Sequence, residues 1–349
     1  MHLPTTVMQL VYLSLVKDAL AISQGTAISD WHHEYPFFVV FGDQIICGGS
    51  LISTDPAWVL TAAHCLVPEI AAEHVYVVDD DDNSDPCNDK HWRQKSKKIG
   101  ITQSIIHPHF VTYSTTNEQA QAPSSSSSAP SKSAKSALEN SVYDLGLVQL
   151  ALPVRHCIAI GSTMDDDTGT DARFVGVGYE NDNQLPDTIQ MAFMTYPRYT
   201  TNRLWMTTTF SHNTALCHGD SGGPLLIASK SGVLLMTGVL SRIFNVHDQD
   251  PSRGTCPVPD HGKTVYNAFV NIDQHLDWIS NTTGLPKTAL SLQQGKKHNQ
   301  VESFCMHPKH GSSSSNAISN RFSRITKDTV ATASLLVLGL LMTTNILVS

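Results

Sequence analysis

Runs of apolar residues mark predicted strands at two places in the chain. Residues 47–65, CGGSLISTDPAWVLTAAHC, form a strand-like apolar run that ends at His64. Residues 143–150, YDLGLVQL, place Asp144 at the head of a second run, in which apolar residues alternate as they do in a half-buried strand. Residues 271–280, NIDQHLDWIS, are amphipathic. The pattern therefore places one histidine and one aspartate beside predicted strands.

Apolar segments also stand near both ends of the sequence. Val7–Val16 is too short to span a bilayer, and the small residues Ala19–Ala21 follow it. Together they predict a secretory signal peptide over residues 1–21, although two charged residues lie between them. Residues 330–349 carry no charge and predict a membrane segment. We favour a glycosylphosphatidylinositol (GPI) anchor signal over a spanning helix, because a polar spacer precedes the segment and no basic residues follow it.

Three polar stretches are predicted to lie outside a compact core. Residues 115–141 are rich in Ser, Ala and Pro, and they predict a mobile, exposed insertion loop at about 112–141. The acidic residues 78–89 predict a solvated turn, and we assign no metal there. A polar tail over 281–329 contains a glycosylation sequon at Asn281.

The overall charge narrows the class of partner. The chain has 349 residues, enough for a large core, and a formal net charge of −8, which gives no support for a nucleic-acid partner. The expected partner is a protein. Because the chain is predicted to be secreted, disulfides are expected among its seven cysteines.

A glycine-rich turn, CHGDSGGP at residues 217–224, surrounds Ser221. A nucleophilic serine needs a base, and it needs free backbone N–H groups that stabilise the oxyanion formed on an attacked carbonyl. Glycines permit unusual dihedral angles and a close approach of substrate, so the amides of Gly219 and Ser221 are the predicted oxyanion donors. His64 is the candidate base, and Asp144 is the candidate acid that orients it.

The order of three motifs, AAHC with His64, DLGL with Asp144 and GDSGGP with Ser221, resembles the trypsin and chymotrypsin family of serine endopeptidases. The resemblance runs from about Ile22 to Ile279. It implies an all-β fold of two packed six-stranded antiparallel Greek-key β-barrels with a C-terminal helix. It also implies that Ser221 attacks a peptide carbonyl, that His64 takes and returns the proton, and that Asp144 holds the imidazole. The resemblance implies no cofactor. It implies protein or peptide substrates and protein inhibitors as partners.

The same resemblance implies a set of disulfides. One clamps the histidine loop and one the wall of the substrate pocket, while a third tethers a segment outside the catalytic domain. These pairs are Cys47–Cys65, Cys217–Cys256 and, as a guess, Cys157–Cys305. Cys87 is then left over, either free or bridging to another chain.

Several residues depart from the family pattern around the substrate pocket. An uncharged apolar floor stands where trypsin-like members carry an aspartate, so a basic substrate side chain would be left unpaired. Larger residues stand where glycines usually open the pocket, as in elastases, which predicts a preference for small aliphatic residues. The pocket residues are Ala215, Leu216, Ser241, Arg242, Ile243 and Thr264.

Arg242 and Ile243 also support an alternative, a serine protease homologue that binds or regulates without cutting. Such homologues have usually lost a triad residue, whereas this chain keeps all three, which favours the enzyme.

Activation in this family usually frees an isoleucine amine that pairs with the acid before the nucleophile. Here those residues are Ile22 and Asp220. Ala21 precedes Ile22 instead of the usual basic residue, so we expect signal peptidase itself to release the Ile22 amine.

Overall fold

A computed structural model of the protein describes residues 22, 25–43, 46–68, 70–78, 92–111, 141–161, 168–179, 185–195, 197–199, 204–209, 214–229, 233–245 and 265–291. The predicted signal peptide, acidic turn, most of the insertion loop and the C-terminal apolar segment lie outside these residues, as do Cys87, Cys256, Thr264 and Cys305. Within the described ranges, no helix is long and apolar enough to cross a membrane.

Six antiparallel strands close a barrel in the first part of the chain, in the order β2-β3-β4-β7-β6-β5. Two short 3-10 turns accompany them, at Ala63–Leu66 and Trp92–Lys95. The elements in chain order are β1 (Thr26–Ala27), α1 (Trp31–Glu34), β2 (Phe38–Phe41), β3 (Cys47–Thr54), β4 (Ala57–Thr61), β5 (His74–Val78), β6 (Ser96–Ile106) and β7 (Gly146–Leu150).

The register of β4 and β7 decides which loops meet at the barrel end. Both are apolar runs, and they pair antiparallel with Thr61 opposite Gly146. The residues that follow β4 therefore lie beside the residues that precede β7. These are the loops that carry His64 and Asp144, so the two predicted strands bring the two candidate side chains together.

The second part of the chain forms an eight-stranded antiparallel sheet in the order β1-β9-β8-β12-β13-β14-β11-β10. Its elements are β8 (Thr168–Gly176), β9 (Gln190–Met194), β10 (Arg198–Tyr199), β11 (Leu204–Thr207), β12 (Pro224–Ser229), β13 (Leu234–Asn245) and β14 (Val265–Asn271).

This sheet differs from the second closed barrel that the resemblance implied. Among the described residues, strands β9-β8-β12-β13-β14-β11 repeat the order of the first barrel, but β9 and β11 form an isolated bridge between Met194 and Thr209 instead of a regular ladder. Beside that bridge, Thr195 N donates to Thr208 O at 2.8 Å and Thr208 N donates to Thr195 Oγ1 at 3.0 Å. β9 ends at Met194 and β11 at Thr207, so these bonds lie beyond both strands, and the Thr195 hydroxyl accepts where a ladder would have a backbone carbonyl.

The C-terminal helix is confirmed. A 3-10 turn at Ile272–His275 leads into α2 (Leu276–Thr283), and α3 (Lys287–Leu290) follows. Leu290 is buried and Ser291 forms a bridge to Ile160, so the packed chain extends beyond residue 280.

Candidate active site

His64 lies in the 3-10 turn that follows β4. A disulfide joins Cys65, its neighbour, to Cys47 at the start of β3, with the Cα atoms 6.2 Å apart. The disulfide thereby links the turn that follows β4 to the start of β3. The His64 side chain remains 33% exposed, so part of the imidazole is open to solvent.

Asp144 is buried and receives hydrogen bonds from two separate parts of the chain. Its Oδ2 lies 2.7 Å from His64 Nδ1 and accepts a hydrogen bond from Ser241 Oγ at 2.6 Å. Its Oδ1 accepts a hydrogen bond from the backbone N–H of His64 at 2.9 Å. A carboxylate can only accept, so the proton of a neutral His64 sits on Nδ1 and Nε2 is left with a free lone pair.

The pKa values of this pair move in opposite directions. Burial alone would lower the pKa of His64, but the charge and the hydrogen bond of Asp144 outweigh burial and raise it, against a smaller lowering by Arg242. Burial alone would raise the pKa of Asp144, yet the charge of His64 and the hydrogen bonds from His64 and Ser241 bring it below its ordinary value. Asp144 therefore stays ionised and stabilises the imidazolium form of His64.

Ser221 lies in a turn that is bonded to both β-sheets. Gly48 N, in β3, donates to Ser221 O at 2.7 Å, and Gly222 N donates to Leu240 O, in β13, at 2.8 Å. These bonds place the serine backbone against the histidine turn, with Cys65 Sγ 3.8 Å from Ser221 O. Within the described residues, the Ser221 hydroxyl makes no hydrogen bond to His64.

Gly222 occupies a place that no other residue fits without strain. Its φ of 80° lies in the left-handed region, and a Cβ there would stand 2.3 Å from both Gly48 O and Thr61 Oγ1. Thr61 in turn donates to Gly48 O at 2.7 Å. Close packing of backbone on backbone therefore requires the first glycine after the serine.

Two backbone donors near Ser221 are unused. Among the described residues, no hydrogen bond uses the backbone N–H of Gly219 or of Ser221. Gly219 has a φ of 93°, a conformation that glycine adopts without cost. The pair predicted as the oxyanion hole thus has its donors available.

Asp220 is fully buried and is bound only by backbone donors. Its Oδ1 accepts from Gly178 N and its Oδ2 from Cys217 N, each at 2.8 Å. Burial raises the pKa of Asp220 to about 7, against the lowering by these two N–H groups. Among the described residues, these two neutral N–H groups are its bonded donors, and burial outweighs them.

Ile22, the predicted partner of Asp220, is buried in an apolar cluster with Phe174 and Leu216. Phe174 borders the space around Asp220, because a Cβ on Gly176 would meet both the Phe174 ring and Asp220 Oδ1. Ala21 still precedes Ile22 in this chain, so the Ile22 nitrogen is an amide and carries no charge. The Ile22 side chain is thus already inside the core that surrounds Asp220.

The predicted pocket residues lie on both sides of the serine turn. Ala215 and Leu216 are fully buried, and Ile243 packs partly buried against the cluster that contains Leu216. Ser241 bonds Asp144 as described above, and Arg242 follows it on β13, half-buried. Thr264 lies outside the described residues.

Three residues that hold the site are absent from the sequence predictions: Gly48, Thr61 and Gly178. The tandem glycines of CGGSL inside an apolar strand were a usable signal for Gly48, since glycine in a strand marks a close backbone approach. Thr61 acts through its hydroxyl, which donates to Gly48 O, and Gly178 through its backbone N–H, which donates to Asp220; no sequence pattern reveals either contact.

The remaining cysteines and possible metal ligands were also located. Cys157 and Cys217 are each disulfide-bonded, to cysteines outside the described residues. In the described residues, two groups bring three potential ligand atoms within 4.8 Å of one another: Cys47, His64 and Cys65, and Asp30, His32 and His33. The first group cannot bind a metal through sulfur, because both cysteines are in a disulfide. The second lies around α1, on the surface.

Comparisons with known proteins agree with this geometry. The Trypsin family model matches residues 22–258. Testisin from Homo sapiens is 26% identical over 265 residues, which cover 68% of this chain and 70% of testisin. Kallikrein-12 from Homo sapiens is 28% identical over 254 residues, 68% of this chain and 81% of the relative. Brachyurin from Leptuca pugilator is 24% identical over 280 residues, 74% of this chain and 95% of brachyurin.

Among solved structures, neuropsin, a serine protease expressed in the limbic system of mouse brain, matches with a TM-score of 0.48. It is 20% identical in sequence, and the match covers 74% of this chain and 99% of neuropsin. The family match spans well over half of the chain and includes all three motifs, which confirms the resemblance seen in the sequence. The chain belongs to the trypsin family of serine proteases.

Proposed function

We propose that the protein is a serine endopeptidase that uses Ser221, His64 and Asp144. The observation that carries this proposal is the ionised, buried Asp144 bonded to His64 Nδ1 at 2.7 Å, with Ser221 in the adjoining turn. This arrangement leaves His64 Nε2 as a base that faces away from Asp144, and the unused N–H groups of Gly219 and Ser221 supply charge stabilisation.

The reaction would proceed through an acyl-enzyme. Ser221 Oγ forms a bond to the peptide carbonyl carbon while its proton passes to His64 Nε2, and the oxyanion is bound by the N–H groups of Gly219 and Ser221. His64 then gives that proton to the leaving nitrogen as the C–N bond breaks. Water then attacks the acyl carbon while His64 Nε2 takes one of its protons. His64 returns that proton to Ser221 Oγ as the acyl C–Oγ bond breaks, which releases the carboxylic acid product and restores Ser221.

A serine-directed fluorophosphonate tests this proposal without a known substrate. It labels only an activated serine, so we expect the wild-type protein to be labelled after its N-terminus has been processed. Ser221→Ala should not be labelled, and His64→Ala should be labelled slower by several powers of ten. Equal labelling of wild type and Ser221→Ala would contradict the assignment.

A non-catalytic homologue remains the second candidate. The observations that favour it are the Arg242 and Ile243 side chains beside the cleft, together with the missing hydrogen bond between Ser221 and His64 in this structure. Failure of the processed protein to react with the fluorophosphonate would favour this binding or regulatory function.

The apolar pocket residues support a preference for small aliphatic side chains at the cleaved position. Ala215 and Leu216 offer no charge, and Ile243 and Thr264 would limit the size of the substrate side chain. Peptides with Ala or Val before the cleaved bond should have a higher kcat/KM than peptides with Lys or Phe. A higher kcat/KM for Lys would contradict the pocket assignment.

Release of the Ile22 amine is the activation step we propose. Ile22 has a φ of 46°, which is rare for a β-branched residue, and its side chain is already buried near Asp220. Cleavage after Ala21 would free the backbone and create the charge that Asp220 lacks. N-terminal sequencing of the secreted protein should give Ile22 as the first residue.

Secretion and attachment to the cell surface complete the proposal. The predicted signal peptide and GPI signal support it, as does Asn281, which is exposed on α2 and open to glycosylation. A phosphatidylinositol-specific phospholipase should release the protein from intact cells; release only by detergent would indicate a spanning helix. We retain Cys217–Cys256 and Cys157–Cys305 as proposed disulfides, to be checked by peptide mapping.

A further inference from the structure

Arg242 is a half-buried cation that has no counter-charge bonded to it among the described residues. It lies on β13, opposite Ala268 of β14, and directly follows Ser241. Among the described residues, its guanidinium has neither a hydrogen bond nor an ion pair. A guanidinium that is partly removed from water loses hydration, and without a partner this loss is not offset.

The position of Arg242 relative to the triad is fixed by its neighbour. Ser241 Oγ donates to Asp144 Oδ2 at 2.6 Å, and the same oxygen lies 2.7 Å from His64 Nδ1. The Arg242 backbone is therefore adjacent to Ser241, the residue that hydrogen-bonds Asp144. Its charge reaches the histidine: after burial, which has the larger effect, Arg242 also lowers the pKa of His64.

Asp144, the carboxylate that accepts the Ser241 hydroxyl, is not free to pair with Arg242. Both oxygens of Asp144 are already bonded, to His64 and to Ser241. The residue on the other side, Ile243, is apolar and packs on the cluster that contains Leu216. Among the described residues, the guanidinium thus keeps its donors unbonded, next in sequence to a residue that packs on an apolar cluster.

We propose that Arg242 forms a carboxylate-binding subsite next to the cleaved bond, so that the preferred peptides carry Glu or Asp close to the small residue whose carbonyl is attacked. The planar guanidinium matches a carboxylate with two parallel hydrogen bonds, and the apolar surroundings strengthen that contact. The predicted effect on peptide cleavage rests on the proposed peptidase function, whereas the predicted effect on peptide binding does not.

The test uses the processed full chain and peptides that differ at one position. Each peptide has Ala at the cleaved residue and Glu, Gln or Lys at one of the three positions before it. We expect the wild type to prefer Glu over Gln in kcat/KM by about tenfold at one or more positions, and to disfavour Lys. Arg242→Gln should abolish this ratio, and added salt should reduce it in the wild type.

A matched control removes a positive charge elsewhere. Lys97 is exposed near the start of β6. The other end of β6, at Ile106, pairs with Gly146 at the start of β7, close in sequence to Asp144. Lys97→Gln should keep the Glu preference of the wild type. A preference that survives in Arg242→Gln, or an equal rate for Glu and Gln at every position, would overturn the subsite.

Binding separates this inference from the peptidase proposal. In the Ser221→Ala chain, fluorescence anisotropy gives Kd for labelled Glu and Gln peptides, and we expect about tenfold tighter binding of Glu. If the wild type neither cleaves nor reacts with the fluorophosphonate, the peptidase proposal fails while this Kd ratio still decides the subsite. Should Arg242→Gln fold poorly, the salt dependence of the wild-type ratio supplies the same decision, because loss of an ion pair with salt is specific to charge.

Discussion

At the scale of single residues, Asp144 shows how a buried carboxylate is kept ionised. Ionised carboxylates are costly to bury unless donors compensate for the lost water. Here the compensation comes from the His64 ring, the His64 backbone and the Ser241 hydroxyl. Each contact also fixes the carboxylate in position, so the same bonds that stabilise the charge determine where His64 Nε2 points.

Ser241 is therefore expected to act on catalysis through Asp144. Ser241→Ala removes the 2.6 Å hydrogen bond to Oδ2, which is worth about 1.5–3 kcal/mol for a charged acceptor. We expect kcat/KM to fall about tenfold or more, and the acid limb of the pH profile to shift, because the pKa values of Asp144 and His64 are coupled.

Ser241→Thr keeps the hydroxyl and serves as the control for this prediction. It should restore most of the activity and the wild-type pH profile. Equal losses in both variants, with unchanged pH profiles, would show that Ser241 only fills space.

At the scale of elements, the serine turn joins the barrel to the second sheet. Gly48 of β3 and Leu240 of β13 both bond to it, at Ser221 O and Gly222 N. The contact is backbone to backbone, so the turn approaches β3 more closely than any side chain would allow. The position of the nucleophile thus depends on the packing of two sheets.

Gly222→Ala should destabilise the protein more than the equivalent change at Gly284. Both glycines have left-handed φ values, 80° and 74°, so alanine costs about 1–2 kcal/mol of strain at each. Only at Gly222 would the new Cβ clash, at 2.3 Å, whereas nothing lies within 4 Å of a Cβ on Gly284. Urea unfolding of both variants in a Ser221→Ala background measures the difference; equal losses would mean that the backbone around Gly222 relaxes.

At the scale of the whole molecule, the N-terminal segment and the serine turn share one core. Ile22 packs in the cluster of the second sheet, and Asp220 lies buried at the border of that cluster. Without a free amine, the Asp220 carboxyl has a pKa near 7 because burial opposes its charge. The chain with residues 1–21 attached therefore holds a buried acid, and under the proposed activation step this acid would gain a charged partner when the Ile22 amine is released.

This arrangement predicts a pH-dependent stability that processing removes. The pKa of Asp220 is about 7 in the folded chain and 3.8 as an unperturbed group, so the folded state binds the proton more tightly. The stability that this proton contributes is fully present when the pH is below the unperturbed pKa of 3.8. It is lost as the pH rises through the folded-state pKa of about 7. The unprocessed Ser221→Ala chain should accordingly lose stability to urea between about pH 4 and pH 7.

Asp220→Asn cannot ionise and is the control for that loss. Its stability should change less over the same pH range, after subtraction of the changes that both proteins share. A chain that begins at Ile22 should show no such loss, since its amine would keep Asp220 ionised. An identical pH dependence in all three proteins would show that Asp220 does not titrate in this range.

Much of the site was predictable because family motifs keep chemistry in short stretches. His64, Asp144 and Ser221 could be named from three motifs, and the strands beside the first two were visible as apolar runs. The second sheet was predicted less well: the resemblance implied a closed barrel, but in the described residues β9 and β11 are joined by the Met194–Thr209 bridge and the Thr195 hydrogen bonds beside it, not by a regular ladder. Whether a ladder closes this barrel depends on how far β9 and β11 extend and on contacts such as that of the Thr195 hydroxyl. An apolar pattern encodes neither.

The sequence by itself determined the family, the order of the reactive residues and the need for glycines around Ser221, because these depend on residue identity and local backbone freedom. Only the tertiary structure decided that β4 and β7 pair so that His64 and Asp144 meet, and that Gly48 and Thr61 leave no room for a side chain at Gly222. It also decided that Arg242 is half-buried and has no hydrogen bond or ion pair among the described residues. Charge balance and close packing depend on distances between residues that are remote along the chain, and folding alone sets those distances.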